Sequence, residues 1–445
     1  MRSIPLVLIA LLITDVHGDV VPQALPPDIA WMHIYGGPYS DGGWSLRETS
    51  DGGYAVVGYT VRNDTDLWVL KLNSRGEIEW ARTYGGPGDD MGYGIDEVEG
   101  GGFIAVGTTD SFGPGGEKLW VLRLDERGDL LWDRVLGGFI TDGEAGWSVR
   151  DTGDGFVIAG STRSFGAGGK DLWMIRLDRD GRVLWSEAFG RSQDDVGFSV
   201  ERTNFGYIAA GYGTDAGNED VYIVATSPLG SEIWNRSFGG AGSDAALSMI
   251  SSRDGFVLAG RTETRRGDKD MLLAKISPQG DLLWWRSFGG EGDQVGMAVA
   301  ESDAGYIIAG RSGPTNDWSM MLVVTDPNGV PLASYNLGRG IATSVACSGD
   351  ECVVTGIIPA GDLEQEDLYV ASFRIPLWSS MPASLEAPEP RINENNISSP
   401  ISPPPNATGN AQHASSDALS GMDGMAPLSR KGETGSKSFR AMFRL

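Results

Sequence analysis

The sequence predicts an all-β chain folded as a seven-bladed β-propeller of four-stranded blades, and three observations predict it. An apolar β-type run ending in glycine recurs seven times, each unit divides into four short strand signals, and a fourth-strand signature stands ahead of the first complete unit. The recurring runs close at Gly58, Gly107, Gly160, Gly211, Gly260, Gly310 and Gly356, at spacings of 49, 53, 51, 49, 50 and 46 residues. Repeats of this length suit one blade each.

In the first unit the strand signals are 43–48, 54–60, 67–72 and 78–84, separated by Gly and Asp turns. The second is apolar almost throughout, as expected of a strand covered on both faces by neighbouring blades. The third alternates, as in Leu67-Trp68-Val69-Leu70-Lys71-Leu72. No unit carries a helical period.

The ends of the repeat predict how the ring closes. The signature W-x-x-x-(Y/F/L)-G-G occurs at Trp31 to Gly37, before any complete unit, while no G-x-x-x-W turn follows the last third strand, Asp367 to Arg374. The N-terminal strand is therefore expected to complete the last blade, which hides two sheet edges that would otherwise invite aggregation.

Outside the repeats the composition changes. Residues 1–18 combine Arg2, an apolar run from Ile4 to Ile13 and small or turn residues before Asp19, the pattern of a cleaved secretory signal. A short lead, 19–29, precedes the propeller, 30–378. Residues 379–445 are rich in Pro, Ser and Asn and are expected to form a tail without a core. No segment has the continuous apolar length of a membrane helix.

The net charge is −25, and all of the excess lies upstream of residue 379; only seven of the 35 basic residues are Lys. Such a surface repels phosphate backbones, so nucleic acid is excluded as a partner. A secreted or cell-surface monomer is expected. In that setting Cys347 and Cys352, which flank a turn-like Ser-Gly-Asp-Glu stretch, are candidates for a disulfide. The sequons at Asn63, Asn235, Asn396 and Asn406 are candidate glycosylation sites.

The turn between third and fourth strands reads LNSRGEIEW, LDERGDLLW, LDRDGRVLW, TSPLGSEIW and ISPQGDLLW, ending at Trp80, Trp132, Trp185, Trp234 and Trp284. Here the chain resembles secreted propeller-repeat proteins of bacteria and archaea. More distantly it is similar to pyrroloquinoline-quinone-type repeats, including those of the outer-membrane assembly lipoprotein. The likeness covers residues 31–376 and departs at the sixth unit, where Ala333 replaces Trp. It implies that the five tryptophans dock one blade on the next. The cofactor role does not carry over, because no vicinal disulfide or charged metal pocket is present. The turn is also superficially like the Asp-box of sialidases, with its spacing one residue out.

Two acidic columns recur. One is an Asp five residues after the glycine that ends the fourth strand: Asp41, Asp90, Asp142, Asp195 and Asp244, with Gln294 in the sixth crossing. The other opens the third strand: Asp66, Asp171, Asp220, Asp270, Asp317 and Asp367, with Lys118 as the exception. Both should crowd one rim. The first column either fixes its turns by accepting backbone N–H groups or forms a ring of hard oxygen ligands for Ca2+.

Loops that break the repeat are better places for recognition. Phe112 and Phe165 project from Gly-rich loops of adjacent blades, and Arg265-Arg266 makes a basic spot on an acidic body. Catalytic constellations are absent: His33 is the single imidazole of the repeats, and no nucleophile elbow or phosphate loop occurs. The expected function is a non-enzymatic extracytoplasmic propeller that binds a protein or glycan partner of the cell envelope through rim loops. The alternatives are a quinoprotein-like or glycan-cleaving enzyme, and a structural cell-envelope protein.

Overall fold

A computed structural model describes residues 27–138, 143–263, 267–314, 317–360 and 365–375. These form seven four-stranded antiparallel sheets with no helix among them. Blades 1 to 6 span 41–84, 90–136, 145–189, 195–238, 244–288 and 293–339. Blade 7 takes three strands from 341–374 and its outermost strand from Asp28–Tyr35. That closing strand pairs antiparallel with Gln365–Arg374, Tyr35 opposite Leu368 and Asp28 opposite Arg374. The closure read from the sequence is the observed one.

Within a blade the strands follow chain order from the axis outwards. The first strand of every blade packs on the first strand of the next, blade 7 on blade 1 included, so seven first strands form a closed inner ring. The second strands are the best buried: Ala55, Val56 and Val57 in blade 1 and Val157, Ile158 and Ala159 in blade 3 have no exposed surface. The first strand of blade 1 begins two residues earlier than its apolar pattern suggested, at Asp41, because the backbone of Asp41 and Gly42 already pairs with Thr60 and Tyr59.

The outer wall repeats one device. A fourth-strand Trp lies against the glycine of the next blade's third-to-fourth turn: Trp31 on Gly76, Trp80 on Gly128, Trp132 on Gly181, Trp185 on Gly230, Trp234 on Gly280 and Trp284 on Gly329. Each of these glycines has φ between +75° and +85°, and a Cβ on it would drive into the indole, so the turn and the docking both require Gly. Three of the indoles also donate to a turn carbonyl, Trp80 to Glu126, Trp132 to Arg179 and Trp185 to Pro228. Five of the six tryptophans end the G-x-x-x-W turn; Trp31, in the closing strand, does the same work.

Between blades 6 and 7 the device is missing. Ala333 replaces the Trp and is buried in a cluster with Leu332, Phe373 and Ile375. Further along the same junction lies a groove of about 280 Å³ lined by Met32, Ile34, Leu337, Arg339, Ile358 and Tyr369 among others. In blade 7 Cys347 and Cys352 stand directly opposite each other across a hairpin and are joined by a disulfide.

Candidate functional site in the axial channel

Every first strand carries a β-bulge at the same position, and the extra residue differs around the ring. It is Trp44, Tyr93, Trp147 and Phe198 in blades 1 to 4, then Leu247, Met297 and Thr343 in blades 5 to 7. A bulge re-aims a side chain and leaves its residue out of the ladder. The aromatic members touch in sequence around the axis: ring centroids are 6.1 Å apart for Trp44 and Tyr93, 4.5 Å for Tyr93 and Trp147, and 5.4 Å for Trp147 and Phe198. Trp147 Nε1 is a buried donor with no protein partner. The inner ring is thus aromatic over blades 1 to 4 and non-aromatic over blades 5 to 7, where the Thr343 hydroxyl donates to the Gly43 carbonyl at 2.6 Å.

Three residues further along the same strands a second column splits the ring in the same way. Blades 1 to 4 place Arg47, Asp96, Arg150 and Glu201 there, while blades 5 to 7 place Ile250, Ala300 and Ala346. Arg47 Nε lies 3.4 Å from Asp96 Oδ1, and Arg150 puts Nη2 and Nε at 2.7 and 3.0 Å from Glu201 Oε1. Asp96 Oδ2 also accepts the Asp151 amide at 2.8 Å.

Burial pushes the Glu201 carboxyl up to about 7 against the pull of Arg47, a residue three blades away. Asp96 is pushed up to about 6 by burial, with Arg47 pulling it down and Glu201 adding to the rise. Arg47 with Asp96 and Arg150 with Glu201 thus form two ion pairs, each linking the first strands of adjacent blades. The Arg150 contact acts in the same sense as Arg47 and holds Glu201 toward its charged form. Perturbed carboxyl groups of this kind cluster at functional sites.

The residues named from the sequence lie elsewhere. Asp41, Asp90, Asp195 and Asp244 sit on one rim and each accepts a loop amide: Gly37 at 2.7 Å, Gly86 at 2.9 Å, Arg191 at 2.7 Å and Gly240 at 2.7 Å. Gln294 does the same for Gly290 at 3.0 Å. Asp142 lies outside the described residues. The strand register corrects its assignment, since Gly146 opposite Gly160 corresponds to Gly43 opposite Gly58 and makes Glu144 the counterpart of Asp41. Glu144 is fully buried against Lys118 Nζ at 2.9 Å. Among the described residues, no three His, Cys, Asp or Glu side chains converge as a metal set.

Phe112 and Phe165 stand on that same rim with 37% and 39% of their surface exposed. Both fold back onto a third-strand Trp, Phe112 onto Trp120 at 5.3 Å and Phe165 onto Trp173 at 5.7 Å. Their loops are tied down by Ser111 to Asp90 at 2.6 Å and by Ser164 to Glu144. Arg265 and Arg266 lie outside the described residues, as do Asn396 and Asn406. Asn63 and Asn235 are exposed.

No family model matches the chain, and no curated protein does. Among solved structures, two crystal structures of Sqt1 from Chaetomium thermophilum align with it at 11% identity. Their TM-scores are 0.45 and 0.44, over 79% and 78% of this chain and 100% and 98% of theirs. The all-β ring of seven four-stranded blades rests on the strand pairing itself.

Proposed function

We propose that the chain is a non-enzymatic extracytoplasmic propeller that binds a protein or glycan partner, and that it does so in the axial channel. One observation carries this reading: the outer wall repeats from blade to blade, while two columns of the inner ring change character together between blades 4 and 5. A packing role would not require that coincidence. A glycan is the better fit of the two partners, because aromatic faces beside forked Arg and carboxylate groups suit the apolar faces and hydroxyls of a sugar ring. The Cys347–Cys352 disulfide fits an oxidising compartment.

The test is a titration of the full chain with a panel of oligosaccharides and peptides, read by tryptophan fluorescence and calorimetry. Binding lost in Trp147→Ala and kept in the Phe112→Ala/Phe165→Ala double variant supports the axial site; the reverse pattern returns recognition to the rim. A second reading has a specific observation behind it. Asp96 and Glu201 are two carboxyl groups of the inner ring pushed toward neutrality, and glycan-cleaving enzymes work with a pair of carboxyl groups tuned in this way. Release of reducing ends by the wild type and not by Glu201→Gln would favour that reading over a binding module.

A further inference from the structure

The seam between blades 6 and 7 is built differently from the other six. At those, the docking Trp meets an aromatic residue near the start of the next blade's second strand, as Trp31 meets Tyr54 at 5.9 Å, Trp132 meets Phe156 at 6.0 Å and Trp284 meets Tyr306 at 6.2 Å. Blades 6 and 7 supply neither member of that couple. Ala333 stands for the Trp, and the strand register puts Cys352 where the aromatic belongs: it lies opposite Cys347 as Tyr54 lies opposite Glu48, Phe156 opposite Asp151 and Tyr306 opposite Glu301. Ala333 and Cys352 are buried in one cluster, with Cys347 packed against it. A disulfide has taken the aromatic's place.

What this disulfide steadies is the seam itself. It ties the hairpin whose tip is Gly349-Asp350; the Gly349 carbonyl accepts the Asp303 amide of blade 6 at 3.2 Å, and the Asp350 carbonyl accepts the Ile375 amide at 2.8 Å. Ile375 in turn is buried with Leu332 and Ala333 of blade 6. Tip and plug together stand in for the indole. The bond does little beyond the seam, because the cysteines are only five residues apart in sequence and Ser348 already pairs with Glu351 between them, so the cross-link takes little freedom from the unfolded chain. Its sulfurs also differ in access. Cys347 is half-buried, while Cys352 has no exposed surface.

We propose that the Cys347–Cys352 disulfide is a redox-sensitive lock on the seam between blades 6 and 7, closed when oxidised and released by a dithiol reductant. A thiolate of the reductant attacks Cys347 Sγ, the bond between the sulfurs breaks, and Cys352 leaves; the second thiol of the reductant then displaces Cys347 and closes the reductant's own disulfide. Two electrons pass to the protein, and each freed sulfur takes up a proton. The inference rests on the seam and is independent of the axial reading. The test treats the full chain with dithiothreitol under native conditions, counts free thiols by alkylation and mass spectrometry, and maps hydrogen exchange in the oxidised, reduced and reoxidised states. Two thiols are expected in a protein of unchanged circular dichroism, with exchange about tenfold faster over residues 341–358 and at Asp303 and Ile375, unchanged around Gly128 and Gly181, and slowed again by oxidised glutathione. Cys347→Ser/Cys352→Ser should exchange at the reduced rate in every buffer; if that variant does not fold, the reversible cycle of the wild type decides alone. A bond that yields only when the whole ring unfolds overturns the proposal. Reduction that leaves exchange at the seam unchanged, reduction that speeds all seven seams alike, or a folded double variant that exchanges at the oxidised rate overturns it equally.

Discussion

The outer and inner walls of this propeller follow opposite rules. On the outside, six of seven junctions use one Trp on one left-handed glycine, with little variation in the residues around them. On the inside the backbone repeats without exception, bulge included, yet the side chains divide the ring into an aromatic and charged half and a half that is neither. Stability of a ring asks the same of every junction, so repetition marks it. Recognition asks for a particular surface, so variation on a fixed backbone marks that.

The comparison is broken most severely by removing the outer-wall strand that closes the ring. Deleting residues 28–35 strips blade 7 of its outermost strand and of Trp31, and leaves the Gln365–Arg374 edge unpaired. The expected product is aggregated rather than folded, checked by size-exclusion chromatography and circular dichroism. A monomeric deletion product with an unchanged melting temperature would show that closure does not hold the ring.

A matched pair of substitutions sharpens the comparison next. Trp132→Ala removes an indole that touches Phe156, stacks under Arg134 and donates to Arg179; a cost of about 2 to 4 kcal/mol in urea unfolding is expected, with ligand binding intact. Trp147→Ala, in the channel, should cost about half as much and abolish binding. Equal losses of stability with equal binding would erase the distinction between the walls.

The sequence made the outer wall legible and the inner wall obscure, for a physical reason. Docking needs a left-handed turn, so it writes Gly and Trp at fixed spacing. A bulge has no such signature, because any residue tolerates it; Trp44, Tyr93 and Leu247 share a position without sharing a chemistry. Aligning the units on the small residue before the bulge, Gly43, Gly92, Gly146, Gly197, Ala246, Gly296 and Ala342, brings both columns out. The mistaken choice of Asp142 has a related origin. Counting five residues from Gly137 assumes a connection of constant length, whereas the register of Gly146 with Gly160 shows two residues more before blade 3, and Glu144 takes the place. The closing strand was legible because its Trp-x-x-x-Tyr-Gly-Gly precedes a unit to which it does not belong.

The smallest expected effect separates a tuned channel from a merely charged one. Glu201 has its carboxyl raised from an ordinary 4.5 to about 7 by burial. A group raised on folding takes up a proton in the native state, so its contribution to stability is complete below about 4.5 and is lost as the pH climbs through 7. Arg150, at 2.7 Å, opposes that rise, which leaves on the order of 1 to 2 kcal/mol lost between pH 5 and pH 8. In Glu201→Gln this component vanishes, so the variant should gain on the wild type by that amount over the same interval, measured by urea unfolding at the two pH values. Asp195 and Asp244, also raised to about 6, slope in the same direction but cancel in the difference between the two proteins. A difference that stays constant with pH would mean that Arg150 keeps Glu201 ionised throughout. The channel would then present a fixed alternation of charge to its ligand, and the acid and base chemistry of the second reading would lose its only support.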